Sequence, residues 1–112
     1  SDFELAWTSF NRKGRLIPYT HSGNIRGLNG NRVDYEYRPI HPTQKPVELY
    51  KLLLEDYAKE GDRILDTHLG SGSSAIAAFD GGFDFVGCEI DKDYFDAAKK
   101  RFDIHCMQQK LF

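Results

Sequence analysis

The chain has 112 residues, 40% apolar and 13% aromatic, with a formal net charge of −2 at pH 7. That length suits one domain or part of one. No apolar run approaches the roughly 18–20 residues that cross a bilayer, and the acidic start SDFELAWTSF is unlike a signal peptide. Only two cysteines are present, Cys88 and Cys106, so we expect a reduced cytoplasmic protein with no zinc site.

The charge is distributed unevenly along the chain. Residues 10–45 carry seven Lys or Arg against Asp34 and Glu36, a balance of +5, whereas residues 46–112 carry eight basic and thirteen acidic residues, a balance of −5. A basic first half suggests a face for a polyanion. An ordinary solvated loop accounts for this excess of basic residues equally well.

The first 40 residues contain few signals for regular structure. ELAWTSF (4–10) has the composition of a strand, and 11–39 is rich in Gly, Asn and Arg. The second composition predicts a long connection with room for a short hairpin. A connection of this length in a compact domain is usually functional or disordered.

A helix is predicted over Pro46–Ala58. Its apolar residues recur at spacings of three and four, at Val47, Tyr50, Leu53, Leu54 and Tyr57. This spacing gives the helix one apolar face. Pro46 suits its first turn, and Gly61 is expected to end it.

From residue 63 onward, short strands alternate with helices. In order, the sequence predicts a buried strand over 63–66, a helix over 73–79, a strand over 83–89 that buries Cys88, and a helix over 91–102 capped by Asp91 or Asp93. The last residues, MQQKLF, are expected to fray. The alternation indicates βαβ units with a right-handed crossover and a parallel sheet, so the predicted class is α/β.

The segment DTHLGSGSS (66–74) joins the first of these strands to its helix. Gly70 and Gly72 would let the backbone approach a ligand closely, and a helix N-terminus offers unpaired N–H groups. Glu89 ends the next strand, where a carboxylate suits the two ribose hydroxyls of a nucleoside. With Ala75, the glycines also fit the dinucleotide fingerprint. The spacing therefore predicts a cofactor that contains adenosine.

Asp66 favours one class of cofactor over another. A carboxylate at the turn would repel the pyrophosphate of NAD, whereas it would attract the ammonium group of S-adenosylmethionine. The alternative is that Asp66 only caps the backbone of its own turn.

Three segments resemble one enzyme family: HPTQKPVELY (41–50), GDRILDTHLGSGSSAIAA (61–78) and FVGCEIDKDYFDAAKKRF (85–102). They are similar to the amino-directed DNA methyltransferases, which use S-adenosylmethionine to methylate N6 of adenine or N4 of cytosine. Their order resembles the permuted class, in which the catalytic half comes first. The resemblance implies a partial Rossmann-like methyltransferase fold: a parallel βαβ core with a leading helix, an N-terminal strand and a long loop.

The resemblance also implies a division of the chain and a set of cofactor residues. The division is a strand of the catalytic half over 1–10, a basic connection with the target-recognition segment over 11–40, and the S-adenosylmethionine-binding half over 41–112. The implied cofactor residues are His41, Thr43, Gln44, Lys45, Asp66, Thr67, Gly70, Ser71, Gly72, Ser73, Glu89 and Ile90. Of these, Lys45 and Thr43 suit the carboxylate of the methionine end. The usual turn has Pro and Phe where this chain has Thr67 and His68.

The catalytic signature of the family, Asp/Asn/Ser-Pro-Pro-aromatic, is absent, because no two of the four prolines are adjacent. That motif holds the target amine and stacks on the flipped base. No catalytic residue and no metal ligand is therefore assigned. We expect the C-terminal part of a methyltransferase, inactive alone, whose exposed core a homodimer would cover.

The implied partner is double-stranded DNA, and the implied setting is the cytoplasm of a bacterium, or a phage-encoded enzyme. The candidate DNA contacts are Arg12, Lys13, Arg15, Arg26 and Arg32, which suit phosphates or guanine. The C-terminal QQKLF resembles the peptide that binds sliding clamps, through Gln108, Leu111 and Phe112. The simpler interpretation is that the last two pack on their own domain.

Adenine N6 is the predicted target, on the resemblance of ELAWTSF to a strand of that family, and the expected setting is restriction–modification. Other interpretations stay open. They are a non-catalytic module that binds the cofactor or DNA, an N4-cytosine, RNA or small-molecule methyltransferase, and, least favoured, a fragment of an NAD-dependent oxidoreductase.

Overall fold

The computed structural model describes residues 6–14, 16, 25–26, 32–33 and 44–110. Its elements are β1 (Ile25–Arg26), β2 (Arg32–Val33), α1 (Val47–Tyr57), β3 (Arg63–Asp66), α2 (Ser73–Asp80), β4 (Asp84–Gly87) and α3 (Lys92–Lys110). The predicted alternation of strands and helices after residue 46 is therefore confirmed.

The basic connection contains the short hairpin that its composition allowed. β1 and β2 pair antiparallel, with Ile25 opposite Val33 and Arg26 opposite Arg32. The strand predicted over 4–10 is wrong for its described part, since residues 6–10 form no strand and Trp7 is 89% exposed. A strand needs a hydrogen-bonded neighbour, and no described strand pairs with this segment.

Helix α1 presents the apolar face that its sequence predicts. Tyr50, Leu53 and Leu54 are half-buried, whereas the intervening Lys51 is exposed. Pro46 is the N-cap rather than a residue of the first turn. The helix also ends before Gly61, because Ala58 is already extended, with its N–H donating to the Leu54 carbonyl.

Strands β3 and β4 form a parallel pair, and α2 is the crossover between them. The register runs from Arg63 opposite Asp84 to Asp66 opposite Gly87. Helix α2 lies at the centre of the domain, packed against α1, β4 and α3. Its residues 73–78 are all buried. The small side chains of this helix let its neighbours approach closely, so the core sits directly behind the glycine turn.

The sheet is less buried than predicted. Leu65 is 63% exposed and Val86, its partner in register, is 49% exposed, and Cys88 is exposed as well. Strands of a parallel sheet are normally covered on both faces. Here two strands are described and one face of the pair stays open, as expected of a partial Rossmann-like methyltransferase fold.

Helix α3 is longer than predicted. It continues through Lys110, so the start of the predicted frayed tail is helical. Asp91 is the cap, because its Oδ1 accepts a 3.0 Å hydrogen bond from the Tyr94 N–H. Ion pairs Lys92–Asp96 and Lys99–Asp103, each four residues apart, support the exposed side. None of the described helices is both long and apolar enough to span a membrane.

Candidate functional site

The carboxyl ends of β3 and β4 meet at one edge, and the site lies there. The hydrogen-bond ladder continues beyond the strands, since the Cys88 N–H donates to the Asp66 carbonyl and the Leu69 N–H donates to the Cys88 carbonyl, both at 2.8 Å. The first residues of the glycine turn are therefore tied to the end of β4.

Both glycines of the turn adopt left-handed backbone angles, with φ of 58° at Gly70 and 84° at Gly72. Gly72 is the N-cap of α2, and a Cβ added to it would lie 3.2 Å from the Cβ of Ala98. On the side where a Cβ would lie, Gly72 is therefore in close contact with α3, and its predicted contact with a ligand stays a prediction. Glycine is needed here for backbone angle and helix packing.

Asp66 binds its own turn. Its Oδ1 accepts a 3.0 Å hydrogen bond from the His68 N–H, and its Oδ2 accepts one of 2.5 Å from the Ser74 hydroxyl. The structure thus shows the capping role that the sequence offered as an alternative. An ionised carboxylate has about four acceptor positions, so capping and attraction of a cation are compatible.

Glu89 is held by two backbone groups. Its Oε1 accepts a hydrogen bond of 2.9 Å from the Gly70 N–H, and its Oε2 accepts one of 3.0 Å from the Asp91 N–H. The carboxylate thereby connects the glycine turn to the start of α3. The next residue, Ile90, is fully exposed at 102%, which offers an apolar surface beside the acid.

Arg101 supports the turn from behind, and the sequence analysis did not single it out. Its Nη1 donates to the Ser71 carbonyl at 3.1 Å and to the Ser73 hydroxyl at 2.9 Å, with the Ser71 hydroxyl at 3.4 Å. Ser71 and Ser73 are both buried. The sequence could have indicated this role, because Arg101 follows Ala98 by three residues and so lies on the inner side of the predicted helix.

A cavity of about 340 Å³ opens between the turn and the segment before α1. Its walls are formed by Lys45, Tyr50, His68, Leu69, Gly70, Ser71, Ser73 and Glu89. The structure thus brings five of the predicted cofactor residues to one cavity. Gln44 precedes Lys45 at the start of α1, while His41 and Thr43 lie outside the described residues.

Thr67 and His68 occupy the positions where this chain departs from the usual family turn. Both are exposed, and the Thr67 hydroxyl lies 2.9 Å from Nδ1 of His68. Where the usual turn has Pro and Phe, this chain therefore has two polar side chains within hydrogen-bond distance of each other. Of the two, His68 lines the cavity.

The predicted DNA contacts are only partly described. Arg12 is used within the domain: its Nη2 donates to the Asp56 carbonyl at 3.0 Å, and its guanidinium lies 4.6 Å from the ring centre of Tyr57. Lys13 is exposed, and Arg15 lies outside the described residues. Arg26 and Arg32 are paired in the backbone register of the hairpin. A phosphate contact from Arg12 therefore competes with its anchoring of the N-terminal segment.

The predicted clamp contact and homodimer stay predictions. Gln108 lies in the last turns of α3 and is exposed, and Leu111 and Phe112 are outside the described part of the chain.

A second polar cluster joins the three helices on the side away from the cavity. Asp80 at the end of α2 contacts Lys51 Nζ at 2.9 Å and His105 Nε2 at 2.7 Å. Burial raises the pKa of Asp80, but hydrogen bonds and charge from His105 and Lys51 outweigh it. The pKa of this carboxyl therefore lies below its ordinary value of 3.8. Phe79 packs edge-on against Phe102 and His105 nearby.

Comparison with known proteins identifies relatives for most of the chain. A family model described as DNA methylase, N6_N4_Mtase, matches residues 7–100. The type II methyltransferase M2.DpnII of Streptococcus pneumoniae is 41% identical over 63 residues, which is 56% of this chain and 24% of that protein. M.HpaI of Haemophilus parainfluenzae is 34% identical over 76% of this chain and 30% of its own length.

Two further relatives agree with these. The DNA adenine methyltransferase YhdJ of Escherichia coli (strain K12) is 32% identical over 83% of this chain and 33% of its own length. The crystal structure of the M1.HpyAVI–SAM complex superposes with a TM-score of 0.53 at 32% identity, covering 63% of this chain and 41% of that one. The chain thus spans about a quarter to a third of the length of the curated relatives it matches.

Proposed function

The chain belongs to the DNA methylase family, and on that premise we propose that it forms the S-adenosylmethionine-binding part of a DNA methyltransferase acting on N6 of adenine. The observation that carries the proposal is the cavity at the strand ends, where the glycine turn and Glu89 are joined by the bond from the Gly70 N–H. The adenine target is supported by the named activity of YhdJ.

The residues of the cavity fit this cofactor. Its volume of about 340 Å³ falls within the range of roughly 300–1,000 Å³ that is usual for small-molecule sites. Its wall carries a cation, Lys45, and an anion, Glu89. S-adenosylmethionine carries a carboxylate, an ammonium group and two ribose hydroxyls, and so presents groups complementary to both.

Each residue then has one binding role in the proposal. Lys45 meets the carboxylate of the methionine end, Asp66 attracts its ammonium group, and Glu89 accepts hydrogen bonds from the ribose hydroxyls. The exposed Ile90 covers one face of the adenine ring. When bound, S-adenosylmethionine supplies a methyl group on a positively charged sulfur. The residues of this chain bind and orient it.

The group that holds the target amine is absent from these 112 residues, which contain no adjacent prolines. We therefore propose that the chain alone binds cofactor without transferring a methyl group, and that the base-holding motif comes from another segment. The basic connection supplies contacts to double-stranded DNA. A mixture of chain and labelled cofactor should leave adenine-containing duplex DNA unmethylated.

Calorimetric titration of S-adenosylhomocysteine into the chain tests the cofactor site, with NAD as the competing ligand. Asp66→Asn and Glu89→Gln keep the size of each side chain and remove its charge. Both should weaken binding at least tenfold, about 1.4 kcal/mol. Glu60→Gln, an exposed acid in the turn after α1, is the matched control and should bind normally. Tighter binding of NAD, or no binding by a folded chain, would contradict the proposal.

A further inference from the structure

We propose that Arg101 is a positioning residue of the cofactor site: it holds the glycine turn in its binding geometry from behind, without touching the cofactor. The inference rests on the proposed cofactor role of the turn and extends it to α3. No part of the family resemblance assigns a role to this side chain.

The contacts of Arg101 converge on the two serines that flank Gly72. One nitrogen, Nη1, reaches the Ser71 carbonyl at 3.1 Å and the Ser73 hydroxyl at 2.9 Å. Ser71 is 5% exposed and Ser73 is 2% exposed. The two hydroxyls also lie 3.2 Å apart. A buried acceptor left without its donor costs free energy, so the guanidinium fixes where both serines sit.

The location of the charge supports a hydrogen-bonding role. The first turn of a helix carries a partial positive charge, which disfavours a cation there. Arg101 nevertheless places its guanidinium against Ser73, the first residue of α2. The hydrogen bonds to the two serines offset this unfavourable charge. Ser71 and Ser73 form part of the cavity wall, whereas Arg101 is not among its described lining residues.

Helix α3 therefore supports the turn at two points one helical turn apart. Ala98 lies against Gly72, and Arg101 binds the residues on either side of it. Loss of the guanidinium would leave the Ala98 contact intact and release the serines. Binding should then weaken because the turn must be ordered by the ligand instead of by the fold.

The test compares Arg101→Ala with Lys100→Ala, which removes a neighbouring exposed charge of the same helix. We expect Arg101→Ala to bind S-adenosylhomocysteine at least tenfold more weakly by calorimetry, and Lys100→Ala to bind like the unchanged chain. Arg101→Lys keeps the charge, but its side chain is one atom shorter than the path to Nη1, so it should recover only part of the loss. Millimolar methylguanidinium should restore binding by Arg101→Ala.

Amide hydrogen exchange without ligand separates this proposal from the cofactor assignment. In Arg101→Ala, the amides of Ser71, Gly72 and Ser73 should exchange faster than in the unchanged chain. In Lys100→Ala, their exchange rates should equal those of the unchanged chain. If the unchanged chain binds no S-adenosylhomocysteine, the proposed function fails. Unchanged exchange and unchanged affinity in Arg101→Ala would overturn the role of Arg101. If Arg101→Ala does not fold, Ser73→Ala is the second test, because it removes one acceptor of the guanidinium. It should reproduce part of the faster exchange and part of the loss of affinity. Normal exchange and normal affinity in Ser73→Ala would overturn the proposal.

Discussion

The glycine turn between β3 and α2 and the hairpin of β1 and β2 carry the two parts of the proposed function, and they are built differently. The carboxylates of Glu89 and Asp66 accept hydrogen bonds from N–H groups of the turn, and Arg101 donates to its Ser71 carbonyl. These three residues come from different parts of the chain. The hairpin has two residues in each strand and sets two arginines opposite each other.

The difference follows from what each region would bind. A small cofactor is recognised by a few groups in fixed positions, so its site benefits from order before binding. DNA presents a regular array of phosphates, and charge density alone provides much of the affinity. The hairpin pairs Arg26 with Arg32 in register, and two cationic residues close together favour a polyanion. Fixed geometry is therefore expected at the turn, and unbalanced charge at the hairpin.

The largest effect is expected where the turn is most constrained. Gly72→Ala forces a side chain into left-handed backbone angles, at about 1–2 kcal/mol, and against the Cβ of Ala98 at 3.2 Å. Overpacking adds about 1 kcal/mol or more. We expect a loss of about 2–4 kcal/mol in the free energy of unfolding, measured by urea denaturation.

Gly61→Ala is the control for that substitution. Gly61 has φ of 86°, but nothing lies within 4 Å of an added Cβ. Only the backbone cost of about 1–2 kcal/mol should appear, and cofactor affinity should be normal. Equal losses in the two variants would show that packing against α3 does not constrain the turn.

An intermediate effect is expected at the hairpin, in affinity for DNA and not in stability. Arg26→Ala with Arg32→Ala should weaken binding to duplex DNA about tenfold near 0.1 M salt. The slope of log affinity against log salt should fall by up to about 1.8, at 0.9 for each phosphate contact. The measurement is fluorescence anisotropy over a series of salt concentrations.

Lys59→Ala with Lys100→Ala makes the same change in net charge at exposed positions outside the hairpin. Its salt slope should stay close to that of the unchanged chain. If the salt slope falls equally in both double variants, the arginines of the hairpin act through net charge alone. The hairpin would then not be a specific DNA contact.

The smallest effect is expected in the cluster that joins the helices far from the turn. Asp80→Asn removes the charge that Lys51 and His105 contact, and the expected loss is about 0.5–1 kcal/mol. The pKa of Asp80 is lowered in the folded chain, so its stabilising contribution is present above its ordinary, unfolded pKa of 3.8. That contribution is lost as the pH falls through the folded pKa.

Urea denaturation between pH 3 and pH 7 measures this dependence. The stability difference between the unchanged chain and Asp80→Asn should shrink as the pH falls below about 4, where Asp80 gains its proton. A difference that grows as the pH falls from about 5 to 3 would contradict the lowered pKa of Asp80. Binding of S-adenosylhomocysteine should be the same in both proteins, since the cluster lies away from the cavity.

Local patterns predicted much of this structure. The order from α1 to α3, the parallel pair and the Asp91 cap follow from periodicity and capping chemistry that act within a few residues. The ends of helices were less predictable: Ala58 ends α1 before Gly61 does, and α3 runs on to Lys110. The helix propensity of a few residues does not determine where a helix ends, because the end also depends on where the helix stops packing against its neighbours.

Within the site, the sequence located the residues but not all of their neighbours. The sequence did not indicate that Gly72 lies against Ala98, 26 positions along the chain. Arg101 binds Ser71 from 30 positions away. The strand predicted at 4–10, for its described residues 6–10, and the buried position predicted for Cys88 were wrong for a related reason. Each assumed neighbouring strands that the described part of the chain does not contain.

The bond from the Gly70 N–H to Glu89 has a consequence for how binding could be observed. The same carboxylate is proposed to accept hydrogen bonds from the ribose hydroxyls. Binding of a nucleoside therefore changes the hydrogen bond between Glu89 and the Gly70 N–H. The amide proton of Gly70 then becomes a built-in reporter, and its resonance should shift when the nucleoside end is occupied. Adenosine alone, without the methionine end, should produce that shift.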